Sequence, residues 1–282
     1  MKRIRQFALM LGLLGVVVAA QGCGVINELR AKNSLNEGVR EFNKGKFDAA
    51  EEKFATALKL SDGKLANAGL FYARAVYQQY DQKRNDETAD RALKAYDAVI
   101  ASSGDNEKLK DTPLAFKADV YDKISKSWIE KGEEGRAKAV EYKKLQQDTL
   151  LERANLPGAT KTTKAAVFYT IGQGYWVEAY NLSHYAVDYT GKLVKVLPPD
   201  RIAQMQPNID KALEYLNKAL EFDPEYADAW SYKKLTLMQQ TYITTDPARK
   251  TALEAQIKEA DTKTKALYEQ RKKEAEAQQS AS

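Results

Sequence analysis

Catalysis needs nucleophiles, general bases or metal ligands at set spacings, and this 282-residue chain carries one histidine and one cysteine. A metal centre would require several His, Cys or clustered carboxylates. A Ser-His-Asp or Cys-His arrangement would have to use His184, beside which no nucleophile-elbow pattern stands. Gly172-Gln173-Gly174 lies inside a helical pattern with no strand before it, so it does not read as a phosphate-cradling loop. The paired carboxylates Glu51-Glu52, Asp86-Glu87 and Glu133-Glu134 sit at helix starts or on exposed faces. There the helix dipole and neighbouring lysines account for them without catalysis. The expectation is a protein that is not an enzyme and that uses no metal and no cofactor.

The cysteine has a context of its own. Met1 to Arg5 is basic, and Phe7 to Ala20 is an uncharged apolar run that ends in Gln21-Gly22-Cys23. Fourteen apolar residues give a helix of about 21 Å, short of the roughly 30 Å of a bilayer core, so the run fits an export signal better than a spanning segment. A single thiol cannot close a disulfide within the chain. Ala20-Gln21-Gly22-Cys23 resembles the bacterial lipobox, with Ala20 where Leu is usual. The resemblance implies acylation of Cys23, removal of residues 1–22 and attachment to the membrane through palmitate-type chains. Gly24 behind the cysteine, rather than Asp, points to the outer membrane, facing the periplasm, under the enterobacterial sorting rule.

The rest of the chain must position whatever works. Hydrophobic residues make up 44% and charged residues 29%, with few Gly and Pro, which predicts a folded helical body rather than a disordered one. The net charge of +5 includes Lys2, Arg3 and Arg5, and basic residues elsewhere alternate with acids. No basic stripe forms, which argues against nucleic acid as a partner. Residues 23–32 read as a tether, after which pairs of helices recur. Residues 33–62 hold two amphipathic segments broken at Lys44-Gly45-Lys46, one with Leu35, Val39 and Phe42, the other with Phe47, Ala50, Phe54, Ala57 and Leu58. Each apolar stripe is too narrow to stand alone, so the two must pack on each other.

Gly38, Ala50 and Ala57 as small residues, Phe47 and Phe54 as fillers, and Ser61-Asp62-Gly63 as the stop resemble a tetratricopeptide (TPR) repeat. Looser copies follow over 64–101, with Ala73, Ala92 and Tyr96, and from Thr112-Pro113, with Tyr121, Ser125, Trp128 and Ala137 around Lys131-Gly132. A fourth first helix spans 163–182, with Phe168, Gly172 and Tyr175. Its partner is expected late, at 208–222, closing on Asp223-Pro224. A fifth hairpin opens at Tyr226 and Trp230 and ends in a long helix from Asp246-Pro247 to about 276, with Leu253, Ile257 and Leu267 on its apolar side. All seven prolines fall at expected boundaries or in loops. The resemblance implies an all-α, right-handed superhelical array of about five hairpins over 33–276, with a long C-terminal capping helix and a disordered tail at 277–282.

In such repeats the first helix of each hairpin lines a concave groove. Carried over, that gives Lys32, Leu35, Val39, Phe42 and Asn43, then Asn67, Leu70, Arg74, Tyr77 and Gln78, then Ala166, Tyr169, Gln173, Trp176 and Val177. Tyr, Trp and Arg are the side chains that interfaces favour. The implied role is a scaffold or adaptor of the bacterial envelope that binds a partner protein or peptide, its oligomeric state open. The period breaks at 183–207, an insertion with His184, Tyr185, Tyr189, Thr190-Gly191-Lys192 and Pro198-Pro199. Val187, Tyr189, Leu193 and Val194 could pair there as a small hairpin. The insertion supplies the alternative, a small-molecule or glycan site with Trp176 beneath it. A closed pocket under the loop would favour that alternative.

Overall fold

The computed structural model describes residues 24–280, so the export signal expected at 1–22 and the acylation expected at Cys23 lie outside it. Ten α-helices occupy the described residues and no strand does, in keeping with the all-α expectation. Contacts divide the chain after Thr149 into two compact units, where the sequence suggests one repeat domain.

The first unit is built from helix pairs. α1 (24–43) runs without a break through the segment expected to be a tether. It turns at Gly45, whose φ of +73° suits glycine, and the Lys46 N–H closes the end on Glu41 O at 3.0 Å. α2 (Phe47–Leu60) buries Ala50, Phe54 and Ala57 completely. The small-residue argument holds at Gly38, where a Cβ would stand 2.5 Å from the Phe54 ring. α3 (Ala66–Lys83) and α4 (Asp86–Ser102) form the next pair, α4 started by Asn85, whose side chain accepts from Thr88 N at 2.9 Å. Ala73, Ala92 and Tyr96 are buried between them, as expected.

α5 (Lys108–Ile129) begins before Thr112-Pro113, so Pro113 lies inside the helix, as Pro207 lies inside α8. The expectation that every proline marks a boundary fails at these two. Each removes the donor for the carbonyl four residues earlier, and those residues, Leu109 and Ala203, are exposed to solvent that can take its place. α6 (Glu133–Ala154) follows the left-handed Gly132. Its close contact to α5 is made not by the exposed Ala137 but by Gly135 and Ala139, the latter accepting from Ser125 Oγ at 2.8 Å. A Cβ on Gly135 would fall 1.9 Å from Trp128 O.

In the second unit α7 (Lys161–Ser183) is capped by Thr160, which accepts from Thr163 N at 3.0 Å. Gly172 lets α8 (Pro199–Phe222) approach, with Leu216 Cγ 2.8 Å from where its Cβ would be. α8 starts nine residues earlier than the sequence suggests, because Pro199 presets the first turn and Ile202, Met205 and Ile209 extend the apolar stripe. The insertion thereby shrinks to 184–198. α9 (Ala227–Ile243) and α10 (Pro247–Ser280) complete the unit, with Ala248 N bound to Asp246 Oδ1 at 3.0 Å. α10 buries Leu253, Ala260 and Thr264 and is joined to α9 by Lys234–Asp261 at 3.0 Å and Tyr268–Asp228 at 2.5 Å. Residues 277–280, expected to be a disordered tail, continue the helix.

Candidate functional site

In the first unit the site residues read from sequence divide into packed and open ones. Leu35, Val39 and Phe42 lie half-buried against Ala50, Phe54 and Ala75, while Lys32 and Asn67 are exposed. Lys32 already pairs with Glu28 at 2.7 Å. Arg74 is where the first helices meet. Its guanidinium carbon sits 5.4 Å from the Phe42 ring centroid on α1, 6.0 Å from Phe71 on α3 and 5.3 Å from Phe116 on α5. It forms no salt bridge with any described residue. Ring faces attract a cation by about 0.5–2 kcal/mol each, rising as water is removed. They supply no hydrogen-bond acceptor for a five-donor guanidinium, so its donors remain available to a carboxylate.

Tyr77, expected to line the groove, is instead 4% exposed. Its hydroxyl donates to Asp119 on α5, and Lys123 lies 4.8 Å above its ring. Burial, reinforced by the Asp119 carboxylate, pushes the phenol well above its ordinary range and keeps it a donor. Lys123 in turn holds Asp81 at 2.6 Å, and that hydrogen bond keeps the Asp81 carboxyl below its usual range. These bonds fasten α3 to α5 and orient the face on which Arg74 lies. Phe116 and Asp119 escape the sequence reading because Thr112-Pro113 looks like the start of the third hairpin and leaves its first helix without a defined face. The signal that could have found them is an aromatic and an acid three residues apart on one helix.

In the second unit Tyr169, Gln173, Trp176, Tyr180 and His184 form a stripe along α7 and its end. The stripe is largely consumed by α9. Gln173 Nε2 donates to Tyr232 Oη at 2.7 Å, Trp176 meets the Tyr232 ring edge-on at 4.9 Å, and Tyr169 meets Tyr226 edge-on at 5.1 Å. Burial raises the pKa of the Tyr169 hydroxyl. These are core-forming pairs between neighbouring helices rather than an open row. Only the outer end stays open, where Trp176, Tyr180 and His184 stack at 5.2 and 5.4 Å and Tyr180 is 44% exposed. The exposed His184 imidazole has the Asn181 carbonyl 3.2 Å from Nδ1, and no carboxylate bonds to it among the described residues.

The insertion is a small built structure. His184–Ala186 makes a 3₁₀ turn and Val187 pairs with Leu193 in a single antiparallel bridge, a remnant of the hairpin the sequence suggests. Asp188 Oδ1 accepts from Thr190 N, Thr190 Oγ1 and Lys192 N at 2.9, 2.6 and 3.0 Å. The carbonyl of Gly191, a residue at φ +81°, accepts from Tyr242 Oη at 2.7 Å. Beneath the loop Ala186 and Leu197 pack on Ala179, Met205 and Ile209, so side chains fill the space that a ligand would need. Tyr185 turns to Arg201, 4.5 Å from its ring, and Tyr189 is fully exposed. Of the residues expected to form one site here, the structure links Trp176 and His184 through Tyr180, while Tyr185 and Tyr189 stand outside that stack. Among the described residues no three His, Cys, Asp or Glu converge as a metal site, and no helix is long and apolar enough to cross a membrane.

No family model and no curated protein matches the sequence. Three solved structures overlap the helices loosely. The TPR2AB domain of yeast Sti1, in a complex with an Hsp90 peptide, is 16% identical, with 84% of this chain and 98% of that one covered at a TM-score of 0.28. Nro1, described as a nuclear import adaptor and hypoxic regulator of sterol synthesis, is 12% identical over 86% and 89% at 0.36. A TPR-repeat protein from Bacteroides fragilis is 16% identical over 75% and 97% at 0.27. Overlaps at such scores carry no argument about what this chain binds.

Proposed function

We propose that the protein is a non-catalytic scaffold of the bacterial envelope, anchored by an acylated Cys23 to the outer membrane and facing the periplasm. The face shared by α1, α3 and α5 binds a protein or peptide partner, and Arg74 receives an acidic group of that partner. The observation that carries this reading is the cation itself: a guanidinium held among three phenyl rings from three first helices, with no carboxylate of its own. A half-buried cation whose donors are met only by water gains from a carboxylate that replaces that water with a charge-assisted bond. The basic start, apolar run and Ala20-Gln21-Gly22-Cys23 support the anchor. The alternative, a small-molecule or glycan site in the insertion, is left with only the open end of the ring stack, because Leu197 and Met205 occupy the underside.

A photo-crosslinker placed at the exposed Asn67 is expected to capture one defined protein in cells, and Arg74→Gln is expected to cut that yield about tenfold. Ten-fold corresponds to about 1.4 kcal/mol, within what a charge-assisted pair contributes. Equal capture from Lys94 on α4, or capture indifferent to Arg74→Gln in a variant with an unchanged melting curve, would defeat the assignment. Fatty-acid labelling that persists in Cys23→Ser would defeat the anchor.

A further inference from the structure

The anchor reading leaves open how the first unit is held at the membrane, and α1 carries the information. Along its outer stripe the side chains change character. Val25, Ile26 and Leu29 are 61, 50 and 62% exposed, and the stripe then continues as Lys32, Asn33, Asn36, Arg40 and Asn43, all exposed. The opposite side holds Ala31 and Gly38, which are buried in the unit. A helix lying wholly in water has no reason to be apolar over two turns and polar over the next three on one solvent face.

We infer that the first two turns of α1 are set into the lipid interface, so that the unit stands on the bilayer through a rigid helix with no slack tether. This rests on the anchor reading, since position 23 immediately precedes the helix. Residues 24–29 span about 9 Å at 1.5 Å per residue, comparable to the about 5–10 Å by which interfacial helices bury their apolar faces at the headgroup–acyl boundary. Glu28 lies inside that span and Arg30 just past it. Glu28 is neutralised by Lys32 at 2.7 Å, and the exposed Arg30 remains for anionic headgroups. The occupant is thus a lipid surface rather than a second polypeptide. A protein partner would not explain why the apolar stretch stops within two turns of the point of acylation.

The test uses the acylated chain in vesicles of phosphatidylethanolamine and phosphatidylglycerol. Its one native cysteine is blocked by acylation, so a cysteine introduced at position 26, 29, 36 or 43 takes a nitroxide alone. Labels at 26 and 29 are expected to collide several-fold more with oxygen relative to an aqueous nickel complex than labels at 36 and 43. Equal ratios at 29 and 36, in protein whose N-terminal peptide has the acylated mass, would overturn the inference and leave the anchor intact. Exclusion of both colliders at 26 and 29 would overturn it in favour of a protein contact. An unacylated peptide mass would defeat the anchor reading first and this inference with it.

Discussion

Gly38→Ala is a sensitive probe of whether helix pairs in the first unit are held by close approach. In most helix interiors this change adds about 1 kcal/mol of stability through backbone propensity. Here a Cβ would stand 2.5 and 2.6 Å from two carbons of the Phe54 ring, where contact distances are ordinarily about 3.5–4.0 Å. Relief requires the ring to move by about 1 Å. The ring is fully buried, stacked on Phe71 at 5.4 Å and enclosed by Ala50 and Ala75. Overpacking of that kind costs about 1–3 kcal/mol, and the rigid backing places this site in the upper half. The net expectation is a loss of about 1 kcal/mol despite the propensity gain.

The decisive comparison adds Phe54→Leu. With the ring gone, Gly38→Ala should recover its ordinary sign and stabilise by about 1 kcal/mol, giving a coupling of about 2 kcal/mol between the sites. Because the chain has two units, a single global transition is a poor readout. Native-state hydrogen exchange of α1 and α2 amides reads the opening of this region directly. Slower exchange in Gly38→Ala alone, or the same sign in both backgrounds, would refute the reasoning.

Gly135→Ala should be worse, because its Cβ would meet a main-chain oxygen, Trp128 O, at 1.9 Å and no side chain can yield; faster exchange across the α5–α6 turn than in Gly38→Ala is expected for its own region. The buried Tyr96 hydroxyl has no hydrogen-bond partner among the described residues, so Tyr96→Phe should stabilise its region by about 1 kcal/mol, seen as slower native-state hydrogen exchange of the α4 amides. Burial works against the charge of Asp122, yet Lys126 at 2.6 Å and Lys143 at 3.3 Å outweigh it and hold the carboxyl below its usual range. Its stabilising effect, about 1–2 kcal/mol, is therefore present above the unfolded value near pH ~3.9 and lost as pH falls through the lower folded value. The stability gap between the protein and Asp122→Asn should close on acidification over that window, and a gap that widens would reverse the assignment.

Local rules make much of the fold legible. The left-handed turns at Gly45 and Gly132, the cap at Asp246, and the approaches at Gly38 and Gly172 follow from residue types within one hairpin. The illegible parts come from tertiary relief of a local rule. Pro113 and Pro207 are tolerated because solvent can serve the carbonyls they orphan, and sequence alone does not say which carbonyls are exposed. The late start expected for α8 has the same source: Pro198-Pro199 reads equally as loop and as a first turn until Ile202 and Met205 are seen to reach the core. The tether is an inference from composition, and it fails because α1 holds its helix through the buried Ala31.

The interaction surface shows why residue type is a weak guide to binding. Tyr169, Gln173 and Trp176 have the composition of a hot spot, yet Tyr226 at the start of α9 and Tyr232 within it already pack against the two rings and hold the Gln173 amide. Tyr77 is spent the same way on Asp119. A side chain can recognise a partner only with donors or area that the fold has not used, and that condition separates Arg74 from its aromatic neighbours. The rings around it hold the guanidinium in place and desolvate it in part, which strengthens a bond to an incoming carboxylate while offering nothing that competes for it. On the proposed reading, the partner's contacting segment is acidic at one point and apolar beside it, since whatever reaches Arg74 must also lie on the edges of Phe42 and Phe116.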